Sequence, residues 1–299
     1  MDLLKLPTLE LIARANTVRK ECIGNKLDLC TILNAKSGLC GEDCRFCAQS
    51  ARHKTGVPQY PLKDIPEIVE AAVKAKESGA RRFGIVTSGN RLTAKELDDI
   101  SRAISDITSK VGITACASLG ALDEKELSVL RSAGLTRYHH NIETSERFYP
   151  FVVTTHTFRE RLKIIEAVKK TGLEICSGGI IGMGETWEDR IDMATILSKL
   201  AVDSVPVNYL IPIKGTPFES LKQISAKDAV RTLALFRIIL KDKTVKIAAG
   251  RETVLRDFQG MGFMAGANGM LIGGYLTVRG RDIAADHELI KEIERLWEE

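Results

Sequence analysis

"DLCTILNAKSGLCGEDCRFCAQSARHKTGVPQYP", residues 28–61, decides how the rest of the chain is read. It opens on Asp28–Asn34, a short apolar and β-branched run of the kind that forms a buried strand. From about Ala35 to Pro61 no strand or helix period follows, and structureless connections of that length are usually functional. This one carries Cys40, Cys44 and Cys47, three of the chain's seven cysteines, spaced Cys-x₃-Cys-x₂-Cys.

Outward from this stretch the same alternation recurs. Strand-like runs fall at 81–89, 113–120, 137–144, 174–182, 204–212, 245–251 and 269–274, with helical patterns between them. Residues 65–79 end on a glycine suited to a helix C′ position. In 93–110, Leu97, Ile100, Ile104 and Ile107 share one helical face. Thr186 and Asp189 stand three apart, close to a capping box. Eight strands, each followed or closed by a helix, predict an α/β fold of the (β/α)8 TIM type. An open doubly wound sheet is the competing arrangement. No linker, repeat or low-complexity segment divides residues 1–299, so a single domain is expected, with a helical extension over 1–27. In a barrel, the loop at 35–60 opens on the C-terminal face, where active sites sit.

Composition excludes several classes. The chain is 44% hydrophobic, and 43 basic against 39 acidic residues leave +4, too little to argue for nucleic acid. No run approaches the roughly 20 apolar residues of a membrane span. Asp2, Lys5 and Glu10 interrupt the opening residues, unlike a signal peptide. A soluble, cytoplasmic protein is expected. Seven cysteines there, an odd number, argue for metal or redox chemistry rather than a disulfide frame.

Zinc would need a fourth ligand, and its usual second cysteine pair is missing. A thioredoxin-like Cys-x-x-Cys would leave Cys40 unexplained. Iron–sulfur clusters are held by thiolates, and three of them can hold a [4Fe–4S] cluster with one iron open. Cys-x₃-Cys-x₂-Cys after the first strand of a barrel resembles the radical S-adenosylmethionine superfamily. That implies S-adenosylmethionine on the open iron, cleaved by one electron to a 5′-deoxyadenosyl radical. The blocks "GLCGEDCRFCAQSARHKTG", "YHHNIETSERFY", "LEICSGGIIGMGET", "SVPVNYLIPIKGTP" and "FMAGAN" together resemble the biotin synthase family over nearly the whole chain. The resemblance implies sulfur insertion into dethiobiotin, with sulfur drawn from an auxiliary iron–sulfur cluster deep in the barrel. It also implies an electron donor such as flavodoxin or ferredoxin, and a homodimer.

Site residues follow from both sources. With a two-residue period, His139, Asn141 and Glu143 share one face of the fourth strand. Three polar groups there are costly in a barrel without partners, unless the face looks outward. By the resemblance, Asn141 and Glu143 match positions that bind the ribose of S-adenosylmethionine; Glu143 stands where aspartate is usual. His139 and Asn208 match positions that bind the ureido ring of dethiobiotin, His139 replacing asparagine. Gly178, Gly179 and Ile180 match backbone along the adenine and methionine moieties, although a glycine run can simply ease a turn. Phe46 matches an aromatic position beside adenine, or packs at the surface. His140 and His156 match nothing and are taken as ordinary polar positions.

The chain also departs from the family pattern. Of the usual auxiliary-cluster ligands, three cysteines and an arginine, Cys116 and Cys176 are present. Gly84 stands in place of the third cysteine and Lys246 in place of the arginine. Cys22 and Cys30 are two cysteines the pattern does not require; free cysteines are often buried small hydrophobes. Setting the loop aside leaves Cys22, Cys30, Cys116 and Cys176, four thiolates as an iron–sulfur cluster usually has. The expectation is a re-ligated auxiliary cluster, four-iron rather than [2Fe–2S]. The alternatives are a superfamily enzyme that abstracts hydrogen without sulfur insertion, and a structural zinc protein.

Overall fold

The computed structural model describes residues 3–277 and 280–298, so Met1 and Asp2 of the expected extension lie outside the described residues. The extension is a short 3-10 turn, Leu3–Lys5, followed by α1 (Thr8–Cys22), which buries Leu11, Ile12 and Ala15. The alternation that follows is β1 (Asp28–Lys36), α2 (Ile65–Glu77), β2 (Arg82–Thr87), α3 (Ala94–Asp106), β3 (Thr114–Ser118) and α4 (Glu124–Ser132). Next come β4 (Arg137–His139), α5 (Phe158–Lys170), β5 (Glu174–Cys176), β6 (Gly179–Ile181), α6 (Trp187–Lys199), β7 (Ser204–Tyr209) and α7 (Ala226–Leu240). The chain closes with β8 (Thr244–Ile247), α8 (Arg251–Val254), α9 (Gln259–Met264), β9 (Gly269–Leu271) and α10 (Ile283–Trp297).

All pairings are parallel, and β5 joins β4 to β7 through Cys176 and Ser204. β6 continues along β7, so β5 and β6 are two halves of one barrel strand broken at Ser177–Gly178. The result is the closed eight-stranded parallel barrel, not the open sheet. Side-chain caps start the helices. Thr93–Glu96, Asp123–Glu126, Thr157–Glu160 and Thr186–Asp189 are full capping boxes. Each satisfies orphan N–H groups at the turn where a loop becomes a helix. Ile100, Ile104 and Ile107 are fully buried and Leu97 packs beside them, as the spacing predicts.

Several strands end earlier than the sequence suggests, β2 at Thr87, β3 at Ser118 and β7 at Tyr209 among them. β4 stops at His139, because the amides of Ile142 and Glu143 both donate to Gly178 O instead of continuing a ladder. β8 ends at Ile247; Gly250 is left-handed (φ +84°) and starts α8. β9 ends at Leu271. The loop at 35–60 is closed at its base by bridges between Ser37 and Tyr60 and between Cys40 and Ser50. It lies over the C-terminal ends of the strands.

Candidate active site

The strands surround a cavity of about 380 Å³, within the range of small-molecule sites. Phe46, Cys47 and Gln49 from the loop line its mouth, facing Tyr275 and Leu276. His139, Asn141, Glu143, Ile180 and Asn208 line its middle, and Cys30, Arg82, Cys116, Arg137, Cys176 and Lys246 its floor.

At the mouth the loop is folded by its own backbone. Cys40 N donates to Gln49 O (3.0 Å), Ala51 N to Cys40 O (2.8 Å) and Cys47 N to Cys44 O (2.9 Å). Asp43 staples it to the segment before α5. Its carboxylate accepts from Thr154 N (2.9 Å), Thr155 N (3.1 Å), Thr155 Oγ1 (3.0 Å) and Thr154 Oγ1. These donors outweigh its slight burial and hold Asp43 well below the usual carboxylate range. Burial pushes the Cys47 thiol up to about 11. It pushes Cys44 up too, against the opposing charge of Arg161. Desolvated thiols are poor lone thiolates, and a bound metal is what draws off their protons. Among the described residues no three His, Cys, Asp or Glu side chains are grouped to hold a single ion. Three thiols on one loop suit a cluster, in which each meets a different iron.

The middle of the cavity depends on the break in the fifth strand. Glu143 has a left-handed backbone (φ +67°), rare for a residue with a Cβ and costing about 1–3 kcal/mol. It is held there by Gly178 O, and by Ile180 N donating to Glu143 O (2.9 Å). His139, Asn141 and Glu143 therefore do share the cavity, but a turn rather than strand alternation brings the last two in. Burial raises the Glu143 carboxyl; Arg161, 3.9 Å away, opposes it.

Both asparagines are half committed. Asn141 accepts from Gly178 N (3.0 Å) and donates to Glu143 Oε2 (3.3 Å). Asn208 donates to Gly179 O (3.1 Å) and accepts from Ala249 N (3.2 Å). An amide has two donors and two acceptor sites, so each keeps one of both for a ligand. Burial lowers His139 to about 4, so its imidazole is neutral near pH 7. A Cβ on Gly178 would lie 2.0 Å from Pro206 O, and one on Gly179 2.2 Å from Glu143 O. These two glycines thus let β7 and Glu143 close in; of the three expected backbone positions, Ile180 lines the cavity. Phe46 lines it as well, and packs against the small apolar cluster of Val152, Met183, Leu210 and Phe218.

On the floor three thiols face three cations. Lys246 Nζ lies 2.5 Å from Cys30 Sγ and 3.0 Å from Asp28 Oδ2. Asp28 also takes Arg137 (3.2 Å) and Arg82 (3.5 Å), while Glu174 takes Arg137 (2.8 Å) and Arg82 (3.2 Å). Burial pushes Cys30 up and Cys116 to about 12, so neither is a free thiolate. Gly84 pairs with Ile32 on one side and Cys116 on the other. A Cβ there would sit 3.1 Å from Ile32 Cγ2, so isoleucine occupies the space beside the missing cysteine. Cys30, one layer below, reaches the floor instead.

Cys22 does not. It ends α1 on the outside of the barrel and is exposed, near Arg237 rather than Cys116 or Cys176. Of the four cysteines expected together, the structure thus brings Cys30, Cys116 and Cys176 to one cavity and leaves Cys22 outside it, because the opening helix packs against the outer helix α7.

Sequence reasoning missed the floor charges Asp28, Arg137 and Glu174, though inward alternation of Arg137 with His139 was a signal for one of them. Arg161 had none. It reaches in from α5 to Tyr149 OH (2.6 Å), Asn141 O (2.9 Å) and His156 Nε2 (3.1 Å). His140 is buried and its pKa lies well below the usual value, through burial and then Arg161. A histidine kept neutral in the fold but free to charge when unfolded stabilises above pH ~6.5 and loses that as pH falls below it, by up to about 1.4 kcal/mol per unit. Guanidinium unfolding of the metal-free protein should show a smaller loss between pH 7.5 and 5.5 for His140→Gln than for wild type. Identical losses would contradict this.

Comparison with known proteins adds three findings. Residues 36–197 match the Radical SAM superfamily model, and residues 206–295 match the Biotin and Thiamin Synthesis associated domain. Biotin synthase of Thermotoga petrophila is 50% identical over 296 residues, 99% of this chain and 98% of that one. Biotin synthase of Thermotoga neapolitana is 53% identical over 273 residues, 91% of this chain and 98% of that one. Among solved structures, methylornithine synthase (PylB) superposes with a TM-score of 0.82 at 20% identity, covering 98% of this chain and 90% of that one. The FeFe-hydrogenase maturase HydG of Carboxydothermus hydrogenoformans gives 0.80 at 22%, covering 95% and 70%. At those identities the two structures speak for the fold alone.

Proposed function

The chain belongs to the biotin synthase family, and from that membership we propose how its two sets of cysteines divide the reaction. It is a radical S-adenosylmethionine enzyme that inserts sulfur into dethiobiotin to form biotin. When bound, a [4Fe–4S] cluster with S-adenosylmethionine and an auxiliary iron–sulfur cluster supply, respectively, the hydrogen-abstracting radical and the sulfur. One observation carries the proposal: a single cavity is lined by Cys47 of the loop at its mouth and by Cys30, Cys116 and Cys176 at its floor. A substrate between them can meet both.

Cys40, Cys44 and Cys47 hold the first cluster. Asn141 and Glu143 bind the ribose hydroxyls, with the spare amide capacity of Asn141 and a carboxylate presented by the strained turn. Ile180 and Phe46 close on the adenine. Arg161 keeps Glu143 aimed, through its contact with Asn141 O. The neutral His139 and the free half of Asn208 bind the ureido ring. Such a ring leaves polar atoms that need partners once buried. Cys30, Cys116 and Cys176 hold the auxiliary cluster, with Arg82, Arg137 and Lys246 balancing its negative charge. Three thiols favour four irons over two. A two-iron rhomb needs two ligands on each iron, whereas a four-iron cube takes one per iron and tolerates an open corner. An enzyme without sulfur insertion would leave the floor thiols unexplained.

Dethiobiotin should accelerate 5′-deoxyadenosine formation by the wild type, with biotin as product. Asn208→Ala should raise the half-saturating dethiobiotin concentration about 5–150-fold, the equivalent of about 1–3 kcal/mol for a lost buried partner. Cleavage without substrate should change little. If dethiobiotin neither stimulates cleavage nor yields biotin, the reading falls.

A further inference from the structure

By its sequence His156 is an ordinary polar position, yet the structure sets it against the site. It is half-buried, just before Thr157, the residue that caps α5. Arg161 engages all three of its side-chain nitrogens in this corner. Nε donates to Tyr149 OH (2.6 Å), Nη1 to Asn141 O (2.9 Å), and Nη2 stands 3.1 Å from His156 Nε2.

A guanidinium has donors and no acceptor, so Nε2 must meet it with a lone pair. A neutral imidazole then carries its one proton on Nδ1, 3.2 Å from Tyr149 OH, which accepts it beside Arg161. Burial, and then the charge of Arg161, hold the imidazole below its usual value, so it is neutral near pH 7. Glu42 of the cysteine loop and Glu160 of α5 pull the other way, but Glu160 is spent on capping Thr157. His140, the other ring near Arg161, is held neutral too. Tyr149 is a fixed wall for the pair, 1% exposed and edge-on to Phe158 with ring centroids 5.4 Å apart.

The remaining edge of Arg161 reaches the nucleoside end of the cavity. Asn141 O opens the turn whose next two amides, of Ile142 and Glu143, donate to Gly178 O. The left-handed Glu143 is thus gripped from one side by Gly178 and from the other by Arg161. A binding group is only as well placed as the hydrogen bonds that support it, and His156 supplies the acceptor on the far edge of that guanidinium.

We propose that His156 is a positioning residue for S-adenosylmethionine: as a neutral acceptor at Nε2 it holds Arg161 against Asn141 O, and so fixes the Asn141–Glu143 turn. The inference rests on the family reading, since it takes S-adenosylmethionine as the ligand of that turn. His156 itself touches no ligand and acts through Arg161.

The test titrates S-adenosylmethionine calorimetrically into the cluster-loaded enzyme. His156→Leu keeps an apolar side chain without an acceptor, whereas His156→Gln places an amide oxygen near the position of Nε2. Expected for His156→Leu is a dissociation constant about tenfold above wild type, as for a lost hydrogen bond to a charged group. His156→Gln should stay within about threefold of wild type. In an Arg161→Lys background, whose point charge cannot span three partners, His156→Leu should weaken binding by less than about twofold further. The visible absorbance of the cluster and the far-UV spectrum should be unchanged in both His156 variants. Wild-type affinity in His156→Leu overturns the proposal, and so does equal weakness in His156→Leu and His156→Gln. A loss that persists in full in the Arg161→Lys background overturns it as well, because His156 would then act without Arg161. A wild type that binds no S-adenosylmethionine at all overturns the family reading, and the proposal with it.

Discussion

Cys44→Ala should reduce 5′-deoxyadenosine formation by at least about 100-fold, to background, with either dithionite or a protein donor. Cys44 packs against the edge of the main core within the electrostatic reach of Arg161 and Glu143, so in the proposed arrangement it would tie the loop cluster to the nucleoside end of the cavity. Alanine leaves Cys40 and Cys47 alone, and two thiols do not retain a cube that already has one open iron. The loop should still fold, since its hydrogen bonds come from backbone and from Asp43 rather than from Cys44 Sγ. An unchanged far-UV spectrum with lost cleavage is therefore expected. Undiminished 5′-deoxyadenosine in the variant would remove the radical mechanism from this loop.

The barrel was legible because its signal is local and repeated. Each strand run and each capping box is written within a few residues, and eight repetitions leave little freedom. The loop cysteines were legible for the same reason. What lay hidden depends on pairings far apart in the chain. Nothing near Glu143 announces that Gly178, 35 positions on, will bend it into a left-handed turn. The sharing of one side by Asn141 and Glu143 came out of a two-residue period that the backbone does not keep past His139. The floor was the least legible part. Its charges come from β1, β2, β4, β5 and β8, and only barrel closure gathers Asp28, Arg82, Arg137, Glu174 and Lys246 into one set. Cys22 shows the opposite failure. Counting ligands gave it a role that its helix, packed outside the barrel, does not allow.

That correction separates two cysteines which the sequence alone treats alike. Cys30→Ala should lower iron and sulfide beyond the loop cluster, from about eight irons per chain to about four, if the auxiliary cluster has four. Dithionite-driven cleavage of S-adenosylmethionine should stay near wild type, because the loop and the Asn141–Glu143 turn are untouched. Biotin formation should fall to background. Removing the thiol also strips Lys246 of its 2.5 Å neighbour, but Asp28 still pairs that ammonium at 3.0 Å, so the floor keeps its charge balance. Cys22→Ala should leave iron, sulfide and biotin yield unchanged, since its thiol is exposed on the outer surface. Gly84→Cys should not rescue Cys30→Ala, because the new Cβ would press on Ile32 before its sulfur reached the floor. A wild-type count of about six irons would make the auxiliary cluster a two-iron one, and full biotin yield from Cys30→Ala would take Cys30 out of the ligand set. Loss of iron and biotin in Cys22→Ala would require the opening helix to leave α7 and enter the barrel, contrary to the packing that buries Leu11, Ile12 and Ala15.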